Sequence, residues 1–166
     1  MSGGNAGRAA AMVARYPSAR AFLADARRAA LRSRDLSRAI SMLPEMGPDR
    51  DGPRPKGPHP DPTASLGAWR AQELPARSAR WEAELASCEA LVSAARALCR
   101  GIGMALGDDV GHALESRYAD ALPWAEVARM MGRGESTLYR WRDVACDWAD
   151  SVGPWRAVSG RGNAGL

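Results

Sequence analysis

The chain has 166 residues, 46% of them hydrophobic, which is enough for one folded domain or for a small domain with a helical extension, and which excludes a wholly disordered protein. Its formal net charge of +4 comes from 22 arginines and one lysine against 19 acidic residues, so the charge is informative only where the arginines cluster. Because the sequence has neither an apolar run of membrane-spanning length nor the apolar centre of a secretory signal, we expect a cytoplasmic protein without membrane contact.

The motifs of the common enzyme classes are missing from the sequence. It has no G-x-S-x-G, no H-E-x-x-H, no phosphate-binding P-loop and no dinucleotide fingerprint. Cys88, Cys99 and Cys146 form no C-x-x-C pair, and neither histidine lies near them at the spacing of metal ligands. We therefore expect free, buried thiols, no metal, no cofactor and no catalytic activity.

The first predicted element is an arginine-rich amphipathic helix over residues 18–43, after a flexible N-terminal segment over residues 1–17. Ser18 is suited to cap this helix, and Pro44 is suited to end it. Apolar and small residues recur in alternating steps of four and three, which is typical of a helix that packs along one seam. The seam consists of Phe22, Ala26, Ala29, Ser33, Leu36, Ile40 and Leu43.

Residues 44–66 contain seven prolines and three glycines, which predicts an extended linker, with a proline-rich recognition ligand as the alternative. A long second helix is predicted over residues 67–103, with Gly101 and Gly103 at its end. Two seams of equal length predict an antiparallel pair, within one chain or between chains, and the small seam residues favour oligomerisation. The second seam consists of Trp81, Leu85, Cys88, Val92, Ala95, Cys99 and Ile102.

The last folded unit is predicted over residues 108–152, followed by a flexible tail over residues 153–166. Asp108 or Asp109 is suited to cap its first helix, and Pro123 is suited to begin the next one. The predicted fold class is therefore all-α. A long antiparallel helical pair with a proline-rich linker precedes a C-terminal trihelical unit.

Two apolar-periodic runs flank Gly132-Arg133-Gly134 in the stretch LPWAEVARMMGRGESTLYRWRDVA, and their spacing is typical of a helix-turn-helix. Ala128 is small where the second helix would cross the first, and Gly132 follows it by four residues, where the turn needs a positive φ. Val144, Ala145 and Trp148 continue the buried face of the second helix. The predicted core of the motif is Val127, Ala128, Met131, Gly132, Leu138 and Trp141.

The start of the second helix is the part of this motif that enters a major groove, so its outward side chains are the predicted DNA contacts. Arg140 has the bidentate fork that reads guanine, whereas Arg133 and Arg142 are suited to backbone phosphates. The alternative is a trihelical core with a solvated face. The set predicted to contact DNA is Arg133, Glu135, Ser136, Thr137, Tyr139, Arg140, Arg142 and Asp143.

The charge is distributed unevenly along the chain. Residues 1–43 carry eight arginines and two aspartates, a local charge of +6, whereas residues 118–150 carry four arginines and six acidic residues, a local charge of −2. Since phosphate neutralisation supplies most non-specific affinity, the motif by itself is expected to bind weakly. The first helix either strengthens the contact with DNA or is a structural helix with a solvated face.

Residues 117–145 resemble the C-terminal helix-turn-helix of small phage and prophage regulators of the RinA and ArpU type, which is similar to the sigma-factor region that reads the −35 promoter element. This resemblance implies a DNA-binding regulator of phage late genes. Gly134 departs from the serine or threonine that usually caps the second helix, so a phosphate-contacting hydroxyl is lost. The resemblance rests on Arg117-Tyr118, Trp124, Glu126-Val127-Ala128, Gly132 and Thr137-Leu138-Tyr139-Arg140.

The leading interpretation is a transcriptional regulator that binds double-stranded DNA sequence-specifically, as a monomer, a homodimer or a higher oligomer, with RNA polymerase as a further candidate partner. Two alternatives stay open: a small terminase-like subunit of phage DNA packaging, and a helical protein-interaction module that does not bind DNA. A ring of many subunits would indicate packaging. No binding to duplex DNA at low salt would indicate the interaction module.

Overall fold

The computed structural model describes residues 3–43 and 62–161, and the side chains of residues 4–43 and 73–161. Every regular element in these ranges is an α-helix, which confirms the expected all-α class. No helix of the described ranges combines the length and the apolar character that a membrane span needs. The helices are α1 (Gly3–Val13), α2 (Ala19–Ser41), α3 (Pro62–Leu106), α4 (Asp108–Tyr118), α5 (Trp124–Met131), α6 (Glu135–Val152) and α7 (Pro154–Ser159).

The N-terminal segment forms a helix, so the prediction of a flexible segment over residues 1–17 is wrong for the eleven residues of α1. Its alanine-rich sequence favours the helical backbone. Ala9, Ala10 and Val13 are each 5% exposed and belong to the main core, where α1 lies against α3 and α7. Small side chains form this part of the core because the neighbouring helices approach closely.

Helix α2 begins as the sequence predicts. The hydroxyl of Ser18 caps it by accepting a hydrogen bond from the N–H of Ala21 at 3.2 Å. It ends at Ser41, slightly before the predicted end at Leu43. The predicted seam is largely confirmed: Phe22, Ala26, Ala29 and Leu36 are buried, and Ser33, Ile40 and Leu43 are half-buried.

Helix α3 is longer at both ends than the predicted range 67–103. Residues 62–66, which the sequence assigns to the linker, belong to α3. Pro62 is tolerated at the start of this helix because the N–H that proline lacks would have no helical partner in the first turn. The rest of the predicted linker, residues 44–61, lies outside the described residues. The prediction that Gly101 and Gly103 end the helix is also wrong, since both are buried within it.

The reason for glycine at position 101 is the close approach of α7. A Cβ atom on Gly101 would lie 1.8 Å from the carbonyl oxygen of Ala157. The prediction of a flexible tail over residues 153–166 is therefore wrong for α7, in which Ala157 is 0% exposed and Val158 is 6% exposed. Residues 162–166 lie outside the described part of the chain.

Helices α2 and α3 share a small apolar cluster and an ion pair. Ala29 and Leu36 of α2 pack with Cys88 of α3, and Arg32 of α2 lies 2.7 Å from Glu84 of α3. Further along, α3 contributes buried residues to the main core, to which all of the other six helices contribute as well. These residues of α3 are Ala94, Ala95, Leu98, Cys99 and Ile102.

Helix α4 starts at Asp108, but neither Asp108 nor Asp109 caps it, so that prediction is wrong. The N-cap is Gly107, with φ 117°, and it makes no side-chain cap hydrogen bond. Both aspartates lie in the first turn, where their charges suit the helix dipole. His112 is exposed on the surface of the helix.

Candidate nucleic-acid interface

The break between α5 and α6 is a three-residue turn with a glycine at each end. Gly132 ends α5 in the left-handed conformation, with φ 61° and ψ 34°, which is a region that favours glycine. The N–H of Arg133 donates to the carbonyl oxygen of Ala128 at 3.0 Å. Gly134 is extended and forms the N-cap of α6. Gly132 therefore has the positive φ that the spacing predicts for it.

The residues closest to the turn supply its apolar contacts. Val127 of α5 and Leu138 of α6 are each 0% exposed, and both belong to the main core. Ala128 is also buried, whereas Met131 and Trp141 are half-buried and pack against the same core. All of these residues lie on the core side of α5 and α6, with Val127 and Leu138 the most deeply buried.

Further along α6, the buried face departs from the prediction. Val144, which is predicted to be buried, is 54% exposed. Ala145 is buried, and Trp148 is half-buried. Cys146, which is predicted to be a buried thiol, and Ala149, for which no burial is predicted, are both buried because α6 also contacts α2 and α7 on that side.

Three aromatic rings connect α4, α5 and α6. Trp124 is 7% exposed and lies edge-on to Tyr118 and Tyr139, with ring centroids 6.1 and 5.6 Å away. The guanidinium carbon of Arg117 lies 5.3 Å from the centre of the Trp124 ring. Helical spacing alone does not indicate these contacts, and only the family resemblance includes Trp124 among its residues. Tyr139 thus stabilises the packing while its side chain stays partly exposed.

The first two turns of α6 present an exposed polar face. Glu135, Ser136 and Arg140 are exposed, and Thr137 is half-buried. Arg140 takes part in none of the ion pairs between described residues. Its guanidinium is therefore accessible to an external acceptor.

Arg142 and Asp143 are held in contacts within the protein. Arg142 donates from Nε to Asp143 at 2.8 Å, and its guanidinium also lies 5.2 Å from the centre of the Tyr139 ring. Asp143 accepts a second hydrogen bond, at 2.7 Å, from Arg20 of α2. The hydrogen bond from Arg142 holds the pKa of Asp143 below its usual value, with a further contribution from Arg20. These two predicted contact residues thus connect α6 to α2.

Arg133 lies at the turn and is only loosely held. Its guanidinium carbon is 6.0 Å from the centre of the Trp141 ring, and a guanidinium nitrogen is 3.9 Å from a carboxylate oxygen of Asp109. The side chain is 54% exposed. An ion pair this long and this exposed contributes little to stability, so Arg133 is able to exchange it for another anion.

Three of the six acidic residues between positions 118 and 150 are engaged by groups from other helices. Asp120 pairs with Arg96 of α3 at 2.7 Å, and Asp143 pairs with Arg20 at 2.7 Å. Asp150 accepts a hydrogen bond, at 2.6 Å, from the backbone N–H of the first residue of α2. The local charge counted along the sequence therefore overstates the negative charge at this surface.

The cysteines of the described ranges are buried, and they belong to no cluster of metal-ligand residues. No group of three or more His, Cys, Asp or Glu side chains there is placed to hold a metal ion. Cys88, Cys99 and Cys146 are free and buried, as predicted. Burial raises the pKa of Cys146 to about 11 and also raises the pKa of Cys99, so both thiols stay protonated near neutral pH.

Comparison with protein-family models, with curated proteins and with solved structures gives no match to this chain. The function must therefore be inferred from the candidate interface itself. Its distinguishing features are the left-handed glycine between α5 and α6 and the exposed polar residues that follow it.

Proposed function

We propose that the chain binds double-stranded DNA through α5, the Gly132 turn and α6, arranged as a helix-turn-helix beside an antiparallel pair formed by α2 and α3. The observation that carries the proposal is the turn, in which a left-handed glycine separates two helices whose residues Val127 and Leu138 are fully buried. The exposed start of α6 then corresponds to the part of this motif that enters the major groove.

The resemblance of residues 117–145 to phage and prophage regulators supports a role in transcription and not in catalysis. In this role, Ser136, Thr137 and Arg140 contact the bases or their flanking phosphates, and Arg133 contacts the backbone. Glu135 accepts from cytosine, and the exposed part of Tyr139 completes the contact surface. RNA polymerase is the expected second partner of such a regulator.

Replacing Arg140 with alanine is expected to weaken binding to the preferred sequence by about 1–3 kcal/mol and to relax the choice of base at one position. The physical reason is the loss of a planar fork that matches the two acceptors of guanine. Selection from a random duplex pool gives the preferred sequence. Fluorescence anisotropy at a fixed salt concentration then gives the affinity for it and for single-base variants.

The matched control is Arg133→Ala, which is expected to weaken all sequences alike because it removes a phosphate contact. Thermal melting of both variants shows whether either change disturbs the fold. Equal losses on all sequences from the two variants would contradict base reading by Arg140. No binding of the unmodified protein to duplex DNA at low salt would contradict the proposed function and favour a protein-interaction module.

A DNA-packaging subunit is the second candidate because α3 is much longer than the helix it packs against. Helix α3 has 45 residues and α2 has 23, so α3 is long enough to reach a second copy of the chain. Small terminase-like subunits combine a DNA-binding helical unit with helices that oligomerise. Native mass spectrometry separates the candidates: a ring of many copies would favour packaging, and a monomer or a dimer would favour regulation.

A further inference from the structure

A group of arginines lies where α2, α4 and α6 meet. The guanidiniums of Arg117 and Arg142 lie against the rings of Trp124 and Tyr139, whose centroids are 5.6 Å apart. Arg27 lies on the same face of α2 as Arg20 and Arg34, seven residues from each, and those two arginines donate to Asp143 of α6 and to the carbonyl oxygen of Asp120 after α4. Burial first, and then the charges of Arg27 and Arg142, lower the pKa of Arg117. The side chain nevertheless stays charged at neutral pH, because arginine starts from a very high pKa.

Two of these arginines lack the partners that a buried cation normally has. The Nε atoms of Arg27 and Arg117 are buried without a hydrogen-bond partner. Neither side chain belongs to any ion pair among residues 4–43 and 73–161. The polar contact of Arg117 within the protein is a hydrogen bond of 2.9 Å to the carbonyl oxygen of Leu122. Like charges brought together without a carboxylate are unfavourable unless an anion joins them.

The other arginines of the group share a carboxylate. Arg142 and Arg20 both pair with Asp143, at 2.7 Å in each case. One carboxylate neutralises only one of these two cations, so this pair keeps one positive charge, and Arg27 and Arg117 add two more that have no carboxylate partner among the described residues. Both residues are half-buried, so part of each remains accessible to solvent.

We infer that Arg27 and Arg117 together bind a backbone phosphate of the duplex that α6 contacts. Guanidinium groups donate paired N–H groups in a plane, which suits the oxygens of a phosphodiester. Arg117 lies over the ring of Trp124, whose centroid is 5.6 Å from that of Tyr139, the residue next to Arg140, so the site lies beside the first turns of α6. This inference rests on the proposed function, and it assigns to α2 and α4 a share of the affinity that the acidic motif region lacks.

The test is the salt dependence of binding to a duplex of fixed sequence. Arg27→Gln is expected to reduce the slope of log K against log salt by about 1 and to weaken binding about tenfold at 0.1 M salt, on any sequence. Arg27→Lys keeps the charge and is expected to restore most of the slope. Melting curves establish that each variant is folded.

The matched control is Arg38→Gln, on the same helix. Arg38 is exposed and also belongs to no ion pair among the described residues, so its replacement removes the same charge from α2. The inference requires that Arg38→Gln leave the slope unchanged. If Arg27→Gln and Arg38→Gln have the same effect, or if neither has any, the inference is overturned while the proposed function stands.

A further measurement separates this failure from failure of the proposed function. If the unmodified protein does not bind duplex DNA at low salt, both proposals are overturned. Melting in inorganic phosphate and in chloride at equal ionic strength then shows whether the site takes a free anion instead. Stabilisation by phosphate in the unmodified protein but not in Arg27→Gln would reassign the site from DNA to a free phosphate.

Discussion

Replacing Leu138 with alanine is expected to lower the free energy of unfolding by about 2–5 kcal/mol. Leu138 is 0% exposed and shares the main core with Val127 of α5 and Leu114 of α4. Truncation removes buried apolar area and leaves a cavity that the surrounding helices fill only in part. Urea unfolding followed by far-ultraviolet circular dichroism gives the difference in free energy.

The control for this change is Val144→Ala on the same helix. Val144 is 54% exposed, so its replacement is expected to change the free energy of unfolding by less than about 0.5 kcal/mol. Both variants shorten an aliphatic side chain to alanine, and alanine is favoured over leucine and valine within a helix, so a loss of stability in Leu138→Ala reflects lost burial and not lost helix propensity. Equal losses from the two variants would mean that α6 packs with another face toward the core.

Replacing Gly111 with alanine is expected to destabilise the protein by roughly 3 kcal/mol or more. A Cβ atom at this position would lie 2.7 Å from the carbonyl oxygen of Cys99 and 2.7 Å from the Cα atom of Gly103. Both atoms belong to the backbone of α3, so they cannot rotate aside as the end of a long side chain would. Helices α3 and α4 must separate, which a lower melting temperature would show.

Gly103 provides the control on the opposite helix. A Cβ atom there would lie 3.5 Å from the Cα atom of Gly111, which is an ordinary van der Waals contact. Since alanine is favoured over glycine within a helix by about 1 kcal/mol, Gly103→Ala is expected to leave stability unchanged or to raise it. A Gly111→Ala variant that melts like the unmodified protein would contradict the close crossing of α3 and α4 at these glycines.

The charge of the candidate interface depends on the fold more than on the local sequence. Counted along the chain, the motif region is acidic. In the structure, Arg20 and Arg96 from other helices neutralise Asp143 and Asp120. The candidate interface therefore carries less negative charge than the local sequence indicates.

Several local features are determined by the sequence by itself. Ser18 caps α2, Gly132 has the positive φ that the turn needs, and the seam residues Phe22 and Leu36 are buried. The burial of Leu138 is likewise determined by the sequence by itself. Each of these features depends on residues within a few helical turns, so periodicity, capping preference and the conformational freedom of glycine are sufficient to predict them.

The tertiary structure alone decides the features that depend on distant residues. The alanine-rich start becomes α1 because α3 and α7 cover Ala9 and Val13, and Gly101 lies within α3 because α7 passes against it. Arg142 is occupied by Asp143, whereas the buried Nε atoms of Arg27 on α2 and Arg117 on α4 have no hydrogen-bond partner. Burial and ion pairing depend on contacts between residues from separate parts of the chain. A local sequence pattern therefore does not show which distant residue a given side chain will contact.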